Sequence, residues 1–221
     1  MEIQDLNIDL NIAKKAAKES GKFLLKNKKK LNKDLQSNQK DTKLLADIES
    51  ENLIKDIITT QSKYPILAEE TGKSVNDLGD TFWVIDPLDG TANYNRGIPI
   101  CCVSIGLVKN MKPILGVIYD FNNDLIYTGD KFSNLSLMND EPIKVSNKMN
   151  KDDSVLITGL PHHTDFSSKS LSKMIEDMQT WKKVRMIGSA AIASCYIASG
   201  KAERYQEKGV YLWDIIAGAA I

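Results

Sequence analysis

A mixed α and β fold is predicted by three observations. Amphipathic helical stretches alternate with short apolar runs rich in β-formers, several of those runs follow one another as a meander, and two of them end on an acidic residue followed by a turn signal. Residues 8 to 30 carry Leu10, Ile12, Ala13, Ala16, Ala17, Phe23, Leu24 and Leu25 at near-helical spacing among lysines, which predicts an amphipathic helix. The basic run 26 to 33 lies at or beyond its end, where the helix dipole favours cations. Residues 36 to 42 are polar, a loop or short edge strand. A second helix is expected from about 44 to 60, with Leu45, Ile48, Leu53, Ile54, Ile57 and Ile58 as its apolar positions and Asp47 in its first turn.

Residues 65 to 68 form a short apolar strand that ends in Glu69-Glu70-Thr71-Gly72. The run 82 to 85 is a second one, and it is expected to stop at Asp86, because Pro87 donates no hydrogen bond to a ladder. Asp89-Gly90 is a turn signal and Thr91 a candidate helix cap. Beyond it, 100 to 108 and 113 to 119 read as an antiparallel hairpin, 125 to 128 as a third strand, and 135 to 138 with 143 to 145 as strands bracketing the turn 139 to 142. The later part reads as strand (154 to 159), helix (166 to 179), strand (184 to 187), apolar helix from Gly188 to Ala198 closed by Gly200, strand (202 to 207) and a last helix from Trp213. His162 and His163 precede the helix at 166 without partners at metal-ligand spacing and read as surface residues. The expected organisation is an N-terminal half, 1 to 146, and a C-terminal half, 147 to 221, forming one compact unit.

Composition narrows the partners. Lys+Arg and Asp+Glu both number 29, so no global field recruits nucleic acid or an anionic membrane. Cys101, Cys102 and Cys195 are an odd set without C-x-x-C spacing, expected as buried free thiols in a reducing cytoplasm. The N-terminus lacks the apolar core of a signal peptide, and no run is long enough to span a bilayer.

The stretch 83 to 94, W-V-I-D-P-L-D-G-T-A-N-Y, concentrates the chemistry. Asp86 and Asp89 stand three residues apart at a strand end, where hard cations such as Mg²⁺ find oxygen ligands, and the amides of Gly90 and Thr91 suit a phosphate. Turn chemistry alone is the other reading of the same residues. The stretch resembles the W-x-x-D-P-x-D-G-T signature of the inositol monophosphatase family, Mg²⁺-dependent and lithium-sensitive phosphatases, and further motifs resemble it in order along nearly all 221 residues.

The resemblance implies a layered αβαβα sandwich of the sugar-phosphatase type and two or three Mg²⁺ ions. It implies metal ligation by Glu69, Asp86, the Leu88 carbonyl, Asp89 and Asp214, the last within a W-D-x-A-A-G-like helix start. Asp47, Glu70 and Thr91 would orient or deprotonate the attacking water. Gly90 and Thr91 would hold the phosphate, and Asp89, Gly188, Ser189, Ala190, Glu207 and Asp214 would contact the substrate. For Asp47, the Glu69-Glu70 pair and the small residues 188 to 190, ordinary roles also stand: first-turn acid, surface acids and close packing. Ile216 departs from the small residue usual in the last motif, a packing change. The chain ends at Ile221 inside this apolar helix, and the resemblance implies further elements that complete the second sheet, so C-terminal elements are expected to be missing. A homodimer acting on a small phosphorylated substrate is implied, inositol-1-phosphate or a related polyol or sugar phosphate. The alternatives are histidinol-phosphate, fructose-1,6-bisphosphate or 3′-phosphoadenosine-5′-phosphate, or a metal-binding regulatory protein without turnover.

Overall fold

A computed structural model describes residues 3–37, 42–133, 135–160 and 166–221. His162 and His163 lie outside the described residues. The first helical stretch is two helices, α1 (Ile3–Lys26) and α2 (Lys28–Leu31), parted at Asn27, whose side-chain amide donates to the Phe23 carbonyl at 2.9 Å. A small antiparallel ribbon, β1 (Asp34–Ser37) with β2 (Thr42–Leu44), leads into α3 (Leu45–Thr59). Then come β3 (Ile66–Ala68), β4 (Gly72–Lys73), β5 (Thr81–Asp89), the short helix α4 (Thr91–Arg96), and the meander β6 (Cys102–Lys109), β7 (Lys112–Asp120), β8 (Leu125–Asp130), β9 (Ser136–Met138) and β10 (Glu141–Pro142). These strands form one sheet in the order β10-β9-β8-β7-β6-β5-β3-β4, antiparallel except where β3 runs parallel to β5. Residues 143 to 145, expected as a strand, lie outside any; the turn is Asn139-Asp140, both with positive φ, and β10 closes two residues later.

The remainder is parallel. β11 (Val155–Thr158) is the centre of a three-stranded sheet, with β12 (Lys183–Met186) on one side and β13 (Arg204–Gln206) on the other. Helix α5 (Ser168–Gln179) joins β11 to β12, α6 (Ala190–Ala198) joins β12 to β13, and α7 (Leu212–Ala220) follows. The two crossovers run in opposite directions, so the usual right hand of parallel connections puts α5 and α6 on opposite faces.

The layers follow from what each face buries. One face of the large sheet gives Trp83, Ile85, Val103, Ile105, Leu107, Leu115 and Val117 to a core with Ile12, Ala13, Ala16, Ala17 and Leu24 of α1 and Ile54 and Ile58 of α3. The other face meets α6 and α7 through Val84, Ile118, Tyr127, Ala191, Ile192, Ile216 and Ala217. α6 turns a further side, Ala193, to Ile157 of the small sheet and to Ala202 just ahead of β13. The result is the expected αβαβα succession, and the three cysteines are buried and free.

Two local expectations are corrected. β5 continues through Pro87 to Asp89 instead of stopping at Asp86, because its pairing with β6 breaks register between Asp86 and Asp89, and at that bulge a proline without N–H costs no ladder bond. Thr91 is the first residue of α4; its cap is Gly90, at φ 85°, where a Cβ would sit 2.7 Å from the Ile100 carbonyl oxygen.

α7 lies unusually close to the large sheet. Gly106, Gly116 and Gly129 face one another across β6, β7 and β8. A Cβ at 106 would stand 2.6 Å from Ile216 Cγ2, and Cβ atoms at 116 and 129 would overlap the backbone carbonyls of Ala217 and Ala220. Gly116→Ala is therefore expected to lower unfolding free energy by about 1–3 kcal/mol, the usual cost of overpacking a filled interior. Urea denaturation checks this, and an unchanged midpoint would show that the helix does not need the glycine stripe.

Candidate active site

The parallel pairing of β3 and β5 sets the geometry. Ala68 is opposite Ile85, and the Glu69 amide donates to the Ile85 carbonyl at 3.2 Å, so Glu69 and Asp86 leave adjacent strand ends side by side. Their carboxyl groups act on each other's proton affinity. Asp86 is 2% exposed, whereas Glu69 retains an exposed outer face. Burial raises the proton affinity of Asp86 well above the ordinary carboxylate range, and the charges of Glu69, Asp89 and Asp214 raise it further. Glu69 is shifted upward by enclosure in protein, with Asp47, Glu70 and Asp214 adding repulsion.

Asp89 is held from the far side. Its Oδ2 accepts from the Ser189 hydroxyl and from the Ala191 amide at 2.8 Å, its Oδ1 from the Ala190 amide at 3.3 Å, and Cys102 Sγ approaches Oδ2 at 3.7 Å. The start of α6 is thus used to hold a carboxylate, which suits its unpaired amides and dipole. Burial pushes the Asp89 carboxyl up, and these hydrogen bonds oppose the rise. Asp214, third residue of α7, accepts from the Tyr211 amide at 2.6 Å. Burial, with Asp89 and Glu207 nearby, raises it to about 6. Tyr205 donates to Glu207 Oε2 at 3.1 Å.

α3 supports the opposite side with one face. Asp47 mirrors Asp214: it is the third residue of its helix, and its Oδ2 accepts from the Leu44 amide at 2.7 Å. Its Oδ1 accepts from Thr91 Oγ1 at 2.9 Å, and Thr91 also reaches the Leu88 carbonyl at 3.0 Å. Burial lifts Asp47 to about 7 against these hydrogen bonds. One turn on, Ser50 donates to the Pro87 carbonyl at 2.7 Å and contacts Ser20 Oγ at 2.6 Å. Glu51 accepts from the Glu70 amide at 2.8 Å and from Thr71 Oγ1 at 2.5 Å. Three polar positions on this face, 47, 50 and 51, therefore hold the start of α4, the bulged end of β5 and the turn after β3.

Glu69, Asp86, Asp89 and Asp214 share one electrostatic neighbourhood, to which Asp47 and Glu70 contribute. Their donors are hard oxygens, of a kind that suits Mg²⁺, and the Leu88 carbonyl, between Asp86 and Asp89 in sequence, is reached by Thr91 Oγ1. Among the described residues no three His, Cys, Asp or Glu side chains stand already grouped as metal ligands. Asp89 already takes three donors on Oδ2 and one on Oδ1, so its freer oxygen is Oδ1, whereas the Tyr211 amide occupies only part of the acceptor capacity of Asp214.

Comparison with known proteins adds the family. The model of the inositol monophosphatase family matches residues 5–221. The chain belongs to the inositol monophosphatase family. Its class is that of the phosphoric monoester hydrolases. A protein named Nus factor SuhB from Pasteurella multocida is 35% identical over 98% of the chain and 82% of its own length. Inositol monophosphatase 2 of Saccharomyces cerevisiae is 33% identical over 85% of the chain and 68% of its own length. The solved structure of an inositol monophosphatase from Anabaena (Nostoc) superimposes with a TM-score of 0.85 at 33% identity, covering 98% of this chain and 81% of that one.

Of the residues singled out from the sequence, Ser189 and Ala190 are engaged with Asp89, and Gly188 at φ 70° packs near the Asn93 side chain. Ser50, Glu51 and Asn93 were not anticipated. Asn93 donates to the Ile187 carbonyl at 2.7 Å and the Ile100 carbonyl at 2.8 Å, tying α4 to the loop before α6. A signal for Ser50 and Glu51 existed: they share the helical face of Asp47, Ile54 and Ile58.

Asp47 links this geometry to pH. Its folded value of about 7 exceeds the ordinary 3.8, so the folded chain keeps a proton that the unfolded chain releases. The associated stability is complete below about 3.8 and is lost as pH rises through about 7. In chelator, Asp47→Asn should flatten the fall of melting temperature between pH 5 and pH 8; a slope equal to that of the wild type would contradict the assignment.

Proposed function

We propose that the chain hydrolyses a small phosphate monoester, inositol-1-phosphate or a related polyol or sugar phosphate, with Mg²⁺ held by Glu69, Asp86, Asp89, Asp214 and the Leu88 carbonyl. The observation that carries this reading is Asp86: a buried carboxyl whose neighbours Glu69, Asp89 and Asp214 all disfavour its charge. A family of phosphatases and a hard-oxygen donor set support the same assignment. When bound, two or three divalent ions would offset this repulsion, acidify a water and stabilise the leaving alkoxide.

The chain's own groups account for the rest. Asp47, at about 7, is poised to accept a proton near neutrality, and the Thr91 hydroxyl already donates to its Oδ1. Thr91 can pass its proton to Asp47 while accepting one from the attacking water, and Glu70 orients that water. The amides of Gly90 and Thr91 hold the phosphate. Gly188, Ser189, Ala190 and Glu207 line the alcohol side, with Ser189 and Ala190 acting there through Asp89. The reading has the protein working as a homodimer in the cytoplasm, without nucleic acid or membrane. Its balanced charge and its buried free thiols support that setting, and no helix among the described residues is long and apolar enough to cross a membrane.

Relatives named Nus factor SuhB favour a second reading, a metal-binding protein that works through a macromolecular partner. Phosphate release from a panel of monoesters separates the two. The first reading expects Mg²⁺-dependent release, and Asp86→Asn lowering it more than about 100-fold with the circular dichroism spectrum unchanged. Release from no monoester by the folded protein, or substantial activity in Asp86→Asn, would overturn it.

A further inference from the structure

The acids around the site fall into two groups according to what faces them. Glu69, Asp86, Asp89 and Asp214 act chiefly on one another and on other acids nearby. The second group, Glu51 and Glu70, also faces lysines. Lys43 Nζ is in direct ion-pair contact with Glu70 Oε2, the two side chains being 32% and 10% exposed. The same ammonium lies within electrostatic range of Asp47 and Glu51. Lys55 stands 3.7 Å from Glu51 Oε1 and donates to Thr71 Oγ1 at 3.0 Å.

The position of Lys43 is built into the backbone. It belongs to β2, paired with Gln36 of β1, and the next residue, Leu44, gives its amide to Asp47 at 2.7 Å. The bond that pins Asp47 therefore also fixes the chain that delivers the ammonium. A carboxylate already neutralised by an ammonium at contact distance has little attraction left for a second cation, and a divalent ion placed there would be repelled by the lysine.

We propose that Lys43 takes, as a side-chain cation, the place that a divalent ion would otherwise hold at Glu70, so that metal is confined to Glu69, Asp86, Asp89 and Asp214. The proposal rests on the metal-dependent reading and sharpens it from two or three ions to two. It makes Lys43 a positioning residue, acting on the water through Glu70.

Equilibrium dialysis with Mn²⁺ tests it independently of turnover. Wild type and Lys43→Arg should bind about two ions per chain. Lys43→Met should bind about one more, as should Lys43→Gln, which retains a polar end should methionine disturb the fold. Adding Glu70→Gln to either should abolish the gain. Three ions on the wild type, or unchanged binding in both uncharged variants, would overturn the proposal. A folded wild type that binds no Mn²⁺ would remove the metal reading itself, and this proposal with it.

Discussion

Carboxyl groups that share a poorly solvated neighbourhood raise one another's proton affinity, and that repulsion is the constraint on which the rest of this molecule is organised. Asp86 is its centre, buried against Glu69, Asp89 and Asp214. Left alone, such a cluster would open the strand ends or draw in water. Here each acid is fixed by a different element: Glu69 and Asp86 by the parallel pair β3/β5, Asp89 by the start of α6, and Asp214 by a back-cap on α7. Repulsion is thus contained by backbone that would be costly to move.

The layering serves the same end. α7 brings Asp214 to the end of β5 because three glycines in register let the helix settle onto the sheet, and α3 braces the opposite side through Asp47, Ser50 and Glu51. Those side chains are polar and buried, an arrangement that hydrophobic packing alone would not favour. Their hydrogen bonds end on Thr91 at the start of α4, on Pro87 near the end of β5 and on Glu70 in the turn after β3, so polarity in the interior serves positioning.

Much of this was legible in the sequence, for reasons that differ by residue. Apolar periodicity found α1, α3 and the meander, because burial on one face imposes its period directly on the chain. Asp86 and Asp89 were legible because a strand end and turn chemistry mark where side chains can converge, whereas Glu69 and Asp214 were legible only through the family motifs their segments resemble. The bulge at Pro87 was not, since a proline looks the same whether it ends a strand or occupies a break in its register. Ser50, Glu51 and Lys43 resemble ordinary polar helix or edge positions until their partners, 19 to 37 residues distant for the first two, are known. Tertiary hydrogen bonds leave no local period, and Ser189 and Ala190 turned out to hold Asp89 for that same reason.

The account turns on whether a divalent ion binds among these carboxylates. Anomalous diffraction from crystals grown with Mn²⁺ locates such an ion directly. The account predicts manganese density bounded by Asp86, Glu69, Asp89 and Asp214, with Asp86 within bonding distance; manganese elsewhere in the chain, or none at saturating concentration, would contradict it.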